Sequence, residues 1–120
     1  RLSLVGSEMC IRDSCRAIVY ERLGDDVAAL SDYSTAISLE GNNAMFFCNR
    51  GLVYFRQRQF QAALADYSQA ISIDSNLALA YYRRSKVHHT LGNIQRAIVD
   101  VEAARQLGFA VDENYVRLLK

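Results

Sequence analysis

A recurrence at 34 residues constrains this chain more than any other feature. Ala63, Tyr67, Ala70 and Ile71 have Ala29, Tyr33, Ala36 and Ile37 one step earlier, and Ala97, Val101, Ala104 and Arg105 one step later. Gly51 has Ala17 and Ser85 as counterparts, and Tyr54 has Tyr20 and His88. A period of about 34 residues marks a helix–turn–helix array, in which each unit hides its apolar face only by stacking on its neighbours. Three copies are read, near 10–43, 44–77 and 78–111.

The rest of the composition narrows the setting. At 120 residues there is room for one domain, and with 51% hydrophobic residues that domain can hold a core. A net charge of +1 offers no basic stripe for nucleic acid. No apolar run approaches the ~18 residues of a membrane span, so neither nucleic acid nor membrane is an expected partner. Three cysteines, an odd number at irregular spacing, argue against a disulfide framework and for a reducing, cytoplasmic setting.

The opening residues break the pattern. Carried back, the period puts the bulky aromatic site on Asp13. The segment LVGSEMCIRDS, residues 4–14, resembles the conceptual translation of a transposase-type sequencing-library adapter. Residues 1–14 are therefore read as a spurious arm. The repeat domain is read as 15–120, leaving room for further repeats upstream.

From there helices alternate with short breaks. Residues 15–23 read as a helix ended by Gly24, and Asp25 and Asp26 are placed to cap the next one, 27–39. In that helix Ala29, Leu30, Tyr33, Ala36 and Ile37 form one buried stripe. The second copy reads as helices 44–58 and 60–73, with Asp74, Ser75 and Asn76 making the turn. The third reads as 78–91 and 94–107, parted by Gly92 and Asn93. Asp112 opens a last short helix to 119 that covers the open end of the array.

The pattern resembles the tetratricopeptide repeat family over residues 15–120. It does so through Phe47, Gly51, Tyr54, Phe60, Ala63, Tyr67 and Ala70 in the middle copy. Tyr81, Gly92, Ala97 and Ala104 carry it in the third copy, and Tyr20, Gly24, Ala29, Tyr33 and Ala36 in the first. The departures are Gly41, Ser75 and Phe109 for the turn proline, Arg58 for the short-turn glycine, and Val101 for an aromatic. The resemblance implies an all-α fold, a right-handed superhelix of antiparallel helix–turn–helix units closed by a C-terminal capping helix. It also implies a concave groove lined by the first helix of each unit.

On that analogy the groove positions are Met45, Cys48, Asn49, Leu52, Phe55 and Arg56 in the middle copy. In the third they are Leu79, Tyr82, Arg83, Lys86, His89 and Thr90, and the first copy adds Ile18, Glu21 and Arg22. The opposite face of these helices already carries Phe47, Tyr54 and Tyr81, so the groove has an apolar floor. Its basic fringe is Arg22, Arg56, Arg83 and Lys86. Such a surface suits an extended or helical peptide with apolar anchors and an acidic group. Some family members grip the C-terminal carboxylate of heat-shock chaperones with Lys, Asn and Arg side chains. Asn49 and Arg83 fall on two of those positions, Ile18 and Leu79 stand where Asn and Lys are expected, and the remaining place falls on Ser14.

A second regularity is internal. Arg16, Arg50 and Arg84 recur in phase, and Asp32, Asp66 and Asp100 follow each by 16 residues. The spacing predicts a charge ladder tying first helices to second helices, a structural device rather than a site.

Catalytic chemistry finds no footing. His88 and His89 are neighbours and point about 100° apart on a helix, so they cannot share a metal ion. Cys15 and Cys48 lack a His–Asp partner at useful spacing. The pairs Asp25–Asp26 and Asp112–Glu113 sit at helix starts, where capping accounts for them. The expectation is a non-catalytic module, without cofactor or metal, that docks a peptide segment of a partner protein. Two alternatives stand beside it: an architectural array that stacks or oligomerises, and the interaction arm of a larger enzyme or chaperone cofactor.

Overall fold

The structure, a computed structural model, describes residues 25–120. The helix expected over 15–23 and the adapter-like segment lie outside the described residues. Within them the order is α1 (Asp26–Leu39), α2 (Ala44–Arg56), α3 (Phe60–Ile73), α4 (Ala78–Thr90), α5 (Ile94–Gln106) and α6 (Glu113–Leu119). Helices α2 and α3 form one hairpin and α4 and α5 the next, while α1 on α2 and α3 on α4 join neighbouring units. The fold is an all-α helical repeat. No helix among the described residues is long and apolar enough to cross a membrane.

Local chemistry sets where the helices begin. The carboxylate of Asp25 accepts from Ala28 N at 3.1 Å, Asn43 Oδ1 from Met45 N at 3.1 Å, and Asp112 Oδ1 from Asn114 N at 3.0 Å. Each satisfies a donor that the first turn leaves without a helical partner. Three helices end in the same left-handed turn. Gly92 N donates to His89 O and Asn93 N to His88 O; Gly108 N and Phe109 N repeat this with Arg105 O and Ala104 O. Arg58 N to Phe55 O at 3.0 Å and Gln59 N to Tyr54 O at 2.9 Å make the same pair of bonds. Gly92 and Gly108 have φ of 83° and 91°, and Arg58 keeps φ at 62° despite its side chain. A non-glycine residue there carries strain on the order of 1 kcal/mol. That turn also stops α2 at Arg56 rather than at 58.

The recurring small and bulky positions are the core. Ala29, Ala36, Ala63, Ala70, Ala97 and Ala104 are buried, as are Tyr33, Tyr67 and Val101. Gly51 is where the hairpin closes tightest. A Cβ there would lie 2.8 Å from Tyr67 Cε1, so only a bare backbone lets the ring in. At the matching places in the third unit stand Ser85 and the smaller Val101, both buried, and Ser85 Oγ donates to Tyr82 O at 2.7 Å. Helix α6 closes the end, with Tyr115, Val116 and Leu119 packed on Ala97 and Val101.

The charge ladder is present and spans more than one hairpin. Arg50 Nε and Nη2 donate to the two oxygens of Asp66, both at 2.8 Å, and Nη1 reaches Ser34 Oγ of the preceding unit at 3.2 Å. Arg84 repeats this with Asp100 at 2.7 and 2.8 Å and Ser68 at 3.3 Å. Each guanidinium thus ties its own second helix to the one before. The Arg50 guanidinium also lies over the rings of Phe47 and Tyr54, 5.6 and 5.7 Å from their centroids, as Arg84 lies over Tyr81 at 5.6 Å. The carboxylates raise the pKa of both arginines, against the opposing effect of burial. Arg16, the expected third rung, lies outside the described residues.

Candidate functional site

Helices α2 and α4 are the first helices of the two described hairpins, and they touch. On α2, Asn49, Leu52 and Phe55 are half-buried and Met45 and Arg56 exposed; on α4, Leu79, Tyr82, Arg83 and His89 are half-buried and Lys86 and Thr90 exposed. Ile18, Glu21 and Arg22 lie outside the described residues.

Arg83 is the residue that joins the two helices. Its Nη1 approaches Cys48 O at 3.2 Å, Cys48 Sγ at 3.5 Å and Asn49 Oδ1 at 3.3 Å. All three contacts use one nitrogen of a group with five donors, so the side chain is anchored with capacity to spare. Cys48 itself is not a groove residue, contrary to the assignment by family analogy. It is fully buried between α2 and α4. Burial pushes its thiol pKa up, with the Arg83 charge pulling the other way, so it is a core side chain and a poor nucleophile.

Lys86 extends the positive strip. Its ammonium lies 4.9 Å from the Tyr82 ring centroid and 5.3 Å from that of Tyr115, a cation held over two aromatic faces. Tyr82 packs on Phe109 at 4.9 Å and on Tyr115 at 5.8 Å, and His89 packs on Tyr115 at 5.6 Å. Phe109 and Tyr115 are therefore neighbours of the site that the sequence reading left to a turn and a cap. The signal was available: Tyr115 lies one full period after Tyr81. The Tyr115 hydroxyl, 3.1 Å from Ser85 Oγ, ties α6 to α4.

Arg56 is not a free member of the basic fringe. Its Nη2 pairs with Asp26 Oδ1 of α1 at 3.0 Å. Capping thus accounts for Asp25 but not for Asp26, which bridges two units. Glu113 likewise pairs with Arg105, at 3.2 Å. Beyond Arg56 opens a cleft of about 270 Å³ lined by Phe55, Arg56, Arg58, Phe60 and Thr90, where the two phenyl rings meet at 5.7 Å.

With this geometry in hand, likeness to known proteins is informative. Residues 44–77, the middle hairpin, match the tetratricopeptide repeat family model. No curated protein sequence matches the chain. Among solved structures, the tetratricopeptide repeat domain of Arabidopsis OM64 is 26% identical, with a TM-score of 0.90 over 95% of this chain and 96% of that one. The second such domain of Spaghetti (RPAP3), solved with the HSP90 peptide SRMEEVD, is 26% identical, with a TM-score of 0.81 over 86% of this chain and 97% of that one. The second such domain of human RPAP3, solved with the HSP70 peptide SGPTIEEVD, is 25% identical, with a TM-score of 0.85 over 94% of each chain. Residues 44–77 thus carry a tetratricopeptide repeat, and the chain shares the fold of these solved tetratricopeptide repeat domains.

Proposed function

We propose that the chain is a non-catalytic interaction module that docks an acidic peptide segment of a partner along the face built by α2 and α4. The observation that carries this reading is the anchoring of Arg83. A half-buried guanidinium fixed against Cys48 O and Asn49 Oδ1 has already lost its rotational freedom, so an incoming carboxylate need not order it. Lys86, held over Tyr82 and Tyr115, adds a second cation on the same helix. Leu52 and Phe55 supply apolar contact. Domains of the same fold have been solved with peptides ending in EEVD, which lends the reading support.

The grip differs in make-up from the family's full carboxylate-holding set. Leu79 stands where a lysine is expected, so a bound carboxylate relies on Arg83, Asn49 and Lys86. Each charge-assisted contact contributes about 1.5–3 kcal/mol at most. Calorimetric titration of the full chain with SGPTIEEVD tests the proposal. Arg83→Ala should weaken binding roughly tenfold or more. No binding to the unaltered chain, or binding indifferent to Arg83→Ala, contradicts it.

A further inference from the structure

We propose that Arg58 is a specificity residue of this binding face, selecting partner segments in which an acidic side chain stands beside an apolar one. The inference rests on the docking function proposed above and deepens it. Its starting point is the backbone: Arg58 holds φ at 62° in a turn that Gly92 and Gly108 make with the same hydrogen bonds. The turn does not require the arginine, and glycine would fit it better. What the arginine adds is therefore its side chain, and strained backbone tends to gather where a side chain is used.

That side chain is exposed and makes no hydrogen bond or ion pair among the described residues, whereas Arg50, Arg56, Arg83 and Arg84 are each engaged. It borders the cleft whose other walls are Phe55, Phe60, Arg56 and Thr90. Phe55 and Phe60 line the cleft with Arg58 and with Arg56, whose charge is already paired with Asp26. No carboxylate is among the lining residues, so the complementary occupant is an apolar side chain with a carboxylate next to it for Arg58. At about 270 Å³ the cleft is smaller than the ~300–1,000 Å³ of typical small-molecule sites, which suits a peptide side chain. Phe55 lies six residues beyond Asn49 on α2, about 9 Å along the axis at 1.5 Å per residue. An extended segment anchored at Arg83 and Asn49 covers that distance in about three residues.

The test combines stability with affinity. In the full chain Arg58→Gly should unfold at the same or a higher temperature, because the turn is relieved of strain. It should nevertheless bind SGPTIEEVD roughly three- to tenfold more weakly. The less acidic analogue SGPTIQQVD, which keeps only its terminal Asp and C-terminal carboxylate, should bind the unaltered chain more weakly than SGPTIEEVD and should not distinguish it from Arg58→Gly. Arg58→Asn, which also tolerates the left-handed turn, should behave as Arg58→Gly does. Undiminished binding of SGPTIEEVD by both variants overturns the role of Arg58 and leaves the docking face standing. Failure of SGPTIEEVD to bind the unaltered chain overturns both. A loss of affinity on Arg58→Gly that is equal for SGPTIEEVD and SGPTIQQVD also refutes the selection of acid.

Discussion

The middle and third repeats trace the same path with different fillings. In the middle unit a bare backbone at Gly51 admits the Tyr67 ring; in the third, Ser85 occupies the corresponding place and the ring is cut back to Val101. Tyr54, half-buried under Arg50, becomes His88, 3.7 Å from Asp100, and Ala62 and Ala65 become Arg96 and Val99. Around His88 the third unit opens a cleft of about 290 Å³ lined by Arg84, His88, Gln95, Arg96, Val99 and Asp100. The two hairpins therefore hold one geometry through opposite divisions of volume, large against nothing or medium against small. The Arg–Asp rung is the same in both. What the repeat demands is a fixed sum across each contact and a fixed charge pair, not a fixed residue.

Removing a rung should have the largest effect. Asp66 is buried and Arg50 nearly so, with side-chain exposures of 7% and 19%. Asp66→Ala leaves the guanidinium without its carboxylate and should lower stability by about 3 kcal/mol, as should Asp100→Ala, read by urea denaturation. A change below 1 kcal/mol in both would reduce the ladder to surface decoration. Next comes the exchange of volumes. Gly51→Ser should cost about 2 kcal/mol through overpacking against Tyr67. Adding Tyr67→Val, which rebuilds the third unit's pair in the second, should recover part of that loss. A double-mutant cycle with no coupling would show that the two positions do not share one space.

The smallest effect is a pH dependence confined to the third unit. Burial lowers the His88 pKa below its ordinary 6.5, the charges of Arg84 and Arg96 push the same way, and Asp100, 3.7 Å away, opposes them. Because the folded-state pKa is the lower one, the unfolded chain binds the proton more readily. The contribution is complete above about pH 6.5 and fades as pH falls through the folded value. His88→Tyr, which installs the middle unit's residue, should flatten stability between pH 7 and 5. An unchanged slope would mean that His88 does not titrate against folding.

Much of this was legible beforehand, for an identifiable reason. Positions such as Ala63, Tyr67 and Ala70 repeat because every hairpin closes on the same contact, so periodicity alone reveals them. The Arg50–Asp66 spacing was readable on the same ground. Arg56 with Asp26 and Tyr82 with Phe109 occur once among the described residues, and no recurrence announces them. Cys48 was misplaced because the helix face it occupies was assigned by analogy. Whether that face looks outward depends on the tilt of α4 against α2, which periodicity does not encode. Phe109 stands at the turn-proline position, and its contact with Tyr82 arises from the left-handed turn after α5, which brings it back over α4.

The account depends most on the α2–α4 face being where a partner docks. Backbone amide NMR of the full chain during titration with SGPTIEEVD tests this directly. Shift changes should centre on Asn49, Phe55, Arg83 and Lys86 and need roughly tenfold more peptide or more for Arg83→Ala. Changes centred instead on Gln95, Arg96 and Val99, or none at saturating peptide, would contradict it.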